Sequence, residues 1–101
     1  MNLIGEKFRA GGISDYNSVI IDGSLKDFVK YSRMKKIFGA TVKARRKHLG
    51  ISQEELAERA DLHRTYISDV ERGARNLSLE SIVKIAHALD TSCSELFSGI
   101  N

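Results

Sequence analysis

Apolar residues recur with a helical period between Gly50 and Gly73, the most informative stretch of the chain. Ser52 and Glu55 have the S-x-x-E spacing of a capping box, in which the two side chains satisfy each other's free backbone donors at a helix start. The apolar residues that follow fall on one face: Leu56, Ala57 and Ala60. We therefore predict a short helix that starts near Ser52 and breaks before residue 63.

A second short helix is predicted to begin near His63 and to bury Ile67 and Val70. Gly73 is the residue expected at its left-handed C-terminal cap. Two short helices joined by a three-residue break must cross steeply, and Ala57 is small enough to let the second helix approach the first. This arrangement is a helix-turn-helix unit, whose second helix is presented to a DNA major groove.

The segment from Lys36 to Leu49 is predicted to form a helix that Gly50 ends. Its basic residues are not interrupted by any acid: Lys36, Lys43, Arg45, Arg46 and Lys47. A run of this kind commonly forms a solvated helix face. Because this helix directly precedes the helix-turn-helix unit, we expect some of these residues, Lys43 among them, to approach DNA phosphates.

Two further helices are predicted after the unit. Ser78 is a good N-cap, and a wide apolar face follows it: Leu79, Ile82, Val83, Ile85, Ala86 and Leu89. Ser92 and Glu95 repeat the capping-box spacing and open a last short helix that carries Leu96 and Phe97. The fold expected is all-α, a compact five-helix domain with no strand in the core.

Residues 1–33 are predicted to form an N-terminal arm, and residues 34–101 the domain. The arm holds four of the eight glycines, a possible strand at residues 16–21 and a short helix after Ser24. A poorly ordered tail is one interpretation. Its many apolar residues favour the other, a contribution to a dimer interface. A further alternative is that Met34 is a second translation start.

Charge adds to this picture because it is unevenly distributed. The chain of 101 residues carries a net charge of +3, and residues 36–76 hold nine Lys or Arg against six acids. From Leu77 onward there is one Lys against three acids. The basic charge therefore belongs to the helix-turn-helix segment, as expected for a polyanion partner.

The remaining composition excludes several classes of protein. A single cysteine, Cys93, excludes an intrachain disulfide and a multi-cysteine zinc site. Neither His48 nor His87 has a second metal ligand three or four residues away. The sequence contains neither a nucleophile–base pair nor a phosphate loop, the features that would indicate an enzyme. We expect a cytoplasmic protein that has no cofactor, no metal, no membrane segment and no small-molecule ligand.

The segment from Gly39 to Phe97 resembles the lambda-repressor-like, or Xre-type, helix-turn-helix proteins. The motifs that carry the resemblance occur in the family's order and spacing: LGISQEELAERADL, RTYISDVERG, RNLSLESIVKIAHALD and SELF. RTYIS followed by ERG and RN is most similar to the controller proteins of restriction-modification systems. One departure is Asp61 in the turn, where the family most often has glycine, and Asp tolerates the left-handed conformation better than most residues.

The resemblance implies a role for individual residues. Base contacts are expected from the exposed face of the second helix: Arg64, Thr65, Ser68 and Asp69. Phosphate contacts are expected from the residues around it: Gln53, Tyr66, Arg72, Arg75 and Asn76. Arg46 and Glu71 are expected to form a structural ion pair, and His63 to cap the second helix. For Asp69, a pair with Arg72 within the chain is at least as well supported as a base contact.

The function implied is a transcriptional regulator that binds double-stranded DNA sequence-specifically as a homodimer on a pseudo-palindromic operator, through a recognition helix at residues 63–72. Leu96 and Phe97 are expected to form the centre of the dimer interface, because few residues follow that can cover them. The alternative is an antitoxin that binds a partner toxin through residues 1–33 and regulates its own operon.

Overall fold

The computed structural model describes residues 25–100 of the chain, with side chains from residue 26. The strand predicted at residues 16–21 and most of the arm lie outside these residues. The described part contains five helices and no strand: α1 (Leu25–His48), α2 (Gln53–Ala60), α3 (Arg64–Glu71), α4 (Leu79–Ala88) and α5 (Cys93–Leu96). Over residues 25–100, the predicted all-α, five-helix architecture is confirmed.

Helix α1 is longer than the sequence pattern indicated. Two helices were predicted, one after Ser24 and one from Lys36, but Leu25–His48 is a single helix of 24 residues. No glycine or proline lies between Leu25 and Phe38, so nothing in the backbone ends the helix there. The chain divides into two compact units between Tyr31 and Ser32, and the predicted domain boundary at residue 34 lies within α1. No helix among the described residues is long and apolar enough to cross a membrane.

One hydrophobic core joins all five helices. Its largest fully buried side chains come from each helix in turn: Phe38 and Val42 of α1, Leu56 of α2, Ile67 and Val70 of α3, Ile85 of α4, Leu89 after it and Leu96 of α5. These positions recur at helical spacing, which is why the periodicity of the sequence located the buried faces.

The turn between α2 and α3 is closed by Asp61, which adopts the left-handed conformation with φ 57° and ψ 47°. The backbone N–H of Leu62 donates to the carbonyl oxygen of Ala57 over 2.9 Å. Ala57 itself is buried. The turn therefore adopts the left-handed conformation that glycine accommodates most readily, and a short hydrogen-bonded turn joins α2 to α3.

Two glycines fix the C-terminal end of α3 against α1. A Cβ atom added to Gly39 would overlap the carbonyl oxygen of Val70, so the two backbones approach more closely than any other residue permits. Gly73 has φ +73° and a Cβ there would lie 2.8 Å from the Cα of Lys36. The position of α3 is therefore determined by α1 at one end and by the turn at the other.

Candidate nucleic-acid interface

Helix α3 presents one face to solvent and one to the core. Ile67 and Val70 are buried, whereas Arg64 and Thr65 are exposed and Ser68 is partly exposed. His63 occupies the N-cap position, as expected, but its side chain makes no capping hydrogen bond. The backbone donors of the first turn of α3 therefore have no side-chain cap, and Arg64 and Thr65 stand beside them at the exposed end of the helix.

The N-terminus of α2 lies next to that of α3. Ser52 caps α2 by accepting from the backbone N–H of Glu55 over 3.0 Å. The side-chain carbonyl of Gln53 accepts a hydrogen bond from Nη1 of Arg64 over 3.2 Å. The amide nitrogen of Gln53 donates to Oε1 of Glu71 over 3.0 Å. Gln53 therefore connects the first residue of α3 to the last.

Glu71 is the acceptor of a nearly buried ion pair with Arg46 of α1. Arg46 donates from Nε to Oε2 over 2.6 Å and from Nη2 to Oε1 over 3.1 Å, and its Nη1 donates to the carbonyl oxygen of Ile51. The Glu71 side chain is only 3% exposed. The hydrogen bond to Glu71 raises the pKa of Arg46 despite the opposing effect of burial. The guanidinium thus stays charged and holds α1, α2 and α3 together at one point.

Asp69 uses both carboxylate oxygens within the chain. Oδ1 accepts from Nη2 of Arg72 over 2.5 Å, and Oδ2 accepts from Nη2 of Arg75 over 2.9 Å. The Asp69 side chain is 21% exposed. Of the two roles weighed for Asp69, the structure places it in the intramolecular pair with Arg72, and Arg75 joins that pair. Each carboxylate oxygen of Asp69 therefore already accepts one hydrogen bond from an arginine.

The residues expected at phosphates surround the C-terminal half of α3. The guanidinium of Arg75 stacks over the ring of Tyr66, 4.6 Å from its centroid. Arg72 also donates to the hydroxyl of Ser68 over 3.2 Å. Asn76 accepts from Nζ of Lys35 over 3.0 Å. Lys35 was not singled out from the sequence, because only folding brings together residues 41 positions apart.

The basic residues at the end of α1 have different roles. Lys36, Lys43 and Lys47 are exposed. Arg45 instead donates to the carbonyl oxygens of Leu89 and Asp90, both over 3.1 Å, and so caps the C-terminal end of α4. The run of positive charge therefore contains two structural arginines, Arg45 and Arg46, and three exposed lysines.

The expectation that Leu96 is exposed in a single chain is wrong. Leu96 is 1% exposed and belongs to the core. Phe97 is partly buried and stacks on Phe38 of α1, with ring centroids 5.0 Å apart. The sequence argument considered only the residues that follow Phe97, whereas Phe38 of α1 stacks on Phe97 and Leu96 is part of the common core. The exposed apolar side chains of α4 are Leu79 at 82% and Val83 at 57%, one turn apart.

Comparison with known proteins finds helix-turn-helix proteins by both sequence profile and sequence identity. The helix-turn-helix family profile matches residues 42–96, more than half of the chain. Control protein C.BamHI of Bacillus amyloliquefaciens is 47% identical over 66 residues, which cover 64% of this chain and 82% of the relative. The profile match includes α2 and α3 with the turn between them.

Solved structures agree with the sequence comparison. The restriction-modification controller protein C.AhdI from Aeromonas hydrophila has a TM-score of 0.61 and 46% identity, covering 62% of this chain and 96% of that one. The controller protein C.Esp1396I, solved as a tetramer with its natural 35 base-pair operator, has a TM-score of 0.61 and 34% identity, covering 66% and 88%. The chain therefore belongs to the Xre-type helix-turn-helix family of DNA-binding transcription regulators, and its relatives include the control proteins of restriction-modification systems.

Proposed function

We propose that this protein is a sequence-specific DNA-binding regulator that acts as a homodimer on a pseudo-palindromic operator, with α3 as the recognition helix. The observation that carries the proposal is the junction of the two helix N-termini, where Gln53 holds the exposed Arg64. A guanidinium at the exposed end of a short helix has the geometry for a bidentate pair with guanine O6 and N7. The operator complex of the relative C.Esp1396I supports DNA as the partner.

Base reading falls to three residues of α3: Arg64, Thr65 and Ser68. Arg64 and Thr65 are exposed on the first turn, and Ser68 follows one turn later. Thr65 offers a hydroxyl and a methyl group, which suit a base edge and a thymine methyl respectively. Asp69 is assigned to its ion pairs with Arg72 and Arg75 rather than to this set.

Phosphate binding falls to groups on both sides of α3. On one side are the N-terminus of α2 with Gln53, whose amide retains a second hydrogen to donate, and the exposed Lys43 of α1. On the other are Tyr66, Arg72, Arg75 and Asn76. A helix N-terminus and basic side chains attract phosphate without reading sequence, so these groups set the register of α3 and the salt dependence of binding.

The homodimer follows from the size of the recognition element. One helix of eight residues reads a few base pairs, so affinity at physiological salt requires two copies on half-sites about 34 Å apart. Leu79 and Val83 supply exposed apolar surface for such a contact. The alternative function, an antitoxin that binds a toxin through residues 1–33, rests mainly on residues outside the described range.

Selection of bound duplexes from a random-sequence pool with the purified protein tests the proposal. We expect enrichment of a two-fold symmetric site. Arg64→Ala should then weaken binding to that site by roughly 1–3 kcal/mol and relax selectivity at one base position in each half-site.

Arg59→Ala is the matched control, because Arg59 is an exposed arginine at the opposite end of α2 whose ion pair among residues 25–100 is with Glu55. This variant should bind the selected site almost as the unmodified protein does. Failure to enrich any site, or an equal loss by Arg64→Ala on selected and random DNA, would contradict the base-reading role.

A further inference from the structure

Asp69 forms an acidic centre on the helix that is proposed to enter the DNA groove. The described residues show it between two arginines that are proposed to bind phosphate, Arg72 three residues on and Arg75 six residues on. A carboxylate at this place repels the phosphates of DNA. The ion pairs with Arg72 and Arg75 offset that repulsion. We propose that Asp69 is a specificity-determining residue, which fixes Arg72 and Arg75 in one arrangement that matches phosphates only when α3 is seated on its operator.

The contacts show how firmly the two guanidinium groups are held. Arg72 is bound at two points, by Asp69 and by the Ser68 hydroxyl. Arg75 is bound by Asp69 and by the face of the Tyr66 ring, and its Nε is buried without a hydrogen-bond partner among the described residues. Each arginine thus has two fixed points, which restrict the direction of the guanidinium.

Each guanidinium still offers donors to DNA. The Arg72 side chain is 63% exposed and that of Arg75 is 40% exposed. Since arginine has five N–H donors, the Nη hydrogens not used within the chain remain for phosphate oxygens, whereas the buried Nε of Arg75 does not. The arrangement is therefore preorganised for one position of the phosphates rather than closed to DNA.

Preorganisation affects specific and random DNA differently. On random duplex, binding depends almost entirely on phosphates, and α3 takes several registers, so arginines that move freely bind better. On the operator, base contacts fix one register, and arginines held in the matching arrangement lose less entropy on binding. Asp69 consequently lowers the affinity for random DNA more than the affinity for the operator.

Asp69→Asn tests this inference, which rests on the proposed function. Binding is measured by fluorescence anisotropy at several salt concentrations, to a duplex selected by the unmodified protein and to a scrambled duplex of equal length. We expect the affinity for the scrambled duplex to rise roughly 2- to 30-fold, the factor that two exposed ion pairs are worth. The affinity for the selected duplex should change less, and the salt dependence on the scrambled duplex should steepen by about one to two counterions.

Two controls distinguish this inference from simpler explanations. Glu80→Gln removes the same charge from an exposed pair with Lys84 on α4 and should leave the ratio of the two affinities unchanged. In a background of Arg72→Ala and Arg75→Ala, Asp69→Asn should no longer alter that ratio, because its effect passes through the arginines. A ratio unchanged by Asp69→Asn alone, or changed equally without the arginines, would overturn the inference. Failure of the unmodified protein to prefer any duplex would instead overturn the proposed function.

Discussion

At the scale of single residues, the most consequential side chain is Glu71. It accepts hydrogen bonds from Arg46 and from Gln53, and Gln53 in turn accepts from Arg64. A nearly buried carboxylate thus connects the core of the protein to the residue that we propose reads a base. The Glu71 carboxylate therefore serves both the stability of the fold and the proposed recognition of DNA.

Glu71→Ala is expected to lower the free energy of unfolding by about 3–5 kcal/mol, because it leaves the charge of Arg46 buried without a partner. Denaturation by urea, followed by circular dichroism, measures this loss. Glu55→Ala is the control, since the exposed pair of Glu55 with Arg59 is worth roughly 1 kcal/mol or less. If the two variants unfold at the same urea concentration, the ion pair of Glu71 contributes no more than a surface pair.

No pH dependence is expected from the arginine of this pair. Because hydrogen bonding raises the pKa of Arg46 in the folded state, its contribution to stability is complete below the pKa of the unfolded chain and is lost only as the pH rises through the still higher folded value. Both values lie above the range in which proteins are ordinarily studied. A stability profile between about pH 6 and 9 should therefore show no transition from Arg46.

The sequence identified these residues to different extents. Arg46 and Glu71 belong to a recurrent family pattern and were expected to pair. The contact of Asp69 with Arg75 was not expected, because it requires the loop after α3 to fold back on the helix. Lys35 was missed for a similar reason, since its partner Asn76 lies 41 positions later, in the loop between α3 and α4. Contacts that depend on loop geometry leave no periodic signal.

At the scale of elements, helix α1 positions α3, the proposed recognition helix, by direct backbone packing. Gly39→Ala places a methyl group against the carbonyl oxygens of Val70 and Glu71, where backbone atoms cannot yield easily. We expect a loss of about 1–3 kcal/mol in the free energy of unfolding, the usual effect of overpacking. Gly99→Ala is the control, because its added Cβ meets only Ile37 at an ordinary 3.5 Å. Equal thermal stability of the two variants would show that α1 and α3 can separate at little cost.

The same helix offers a test of which basic residues contact DNA. Lys43→Ala should leave the thermal stability unchanged and reduce the dependence of log K on log salt by roughly one unit of slope. Arg45→Ala should do the reverse, lowering stability by about 1–2 kcal/mol through its two lost carbonyl contacts with little effect on the salt dependence. An unchanged salt slope for Lys43→Ala would place α1 away from the phosphates.

At the scale of the whole molecule, the question is which surface joins two copies. Leu96 has no exposed area left to bury, and Phe97 already stacks on Phe38. Phe97→Ala is therefore expected to lower the stability of the single chain and is a poor test of dimerisation. Ser92 caps α5 as predicted, since its hydroxyl accepts from the backbone N–H of Glu95. The burial of Phe97 depends on Phe38, which lies 59 positions earlier in α1.

Leu79→Asp is the better test, because Leu79 is 82% exposed and its loss should leave the fold intact. We expect this variant to shift towards monomer in analytical ultracentrifugation and to bind the selected duplex more weakly, with unchanged circular dichroism. Thr91→Asp, three residues beyond the last residue of α4, adds the same charge and should remain dimeric. If Leu79→Asp also remains dimeric, the second copy docks on a surface other than the N-terminal half of α4.

The continuity of α1 determines what a translation start at Met34 would produce. The helix already runs through Met34 without a break, so a ribosome that initiated at Met34 would produce a chain whose first residue stands in the middle of what is a helix in the longer product. Its new ammonium group would lie at a helix N-terminus, where positive charge is disfavoured by about 0.3–1 kcal/mol. The shorter product would keep the core residues from Phe38 onward. Two initiation sites would thus yield regulators with the same recognition helix and different helical lengths in front of it.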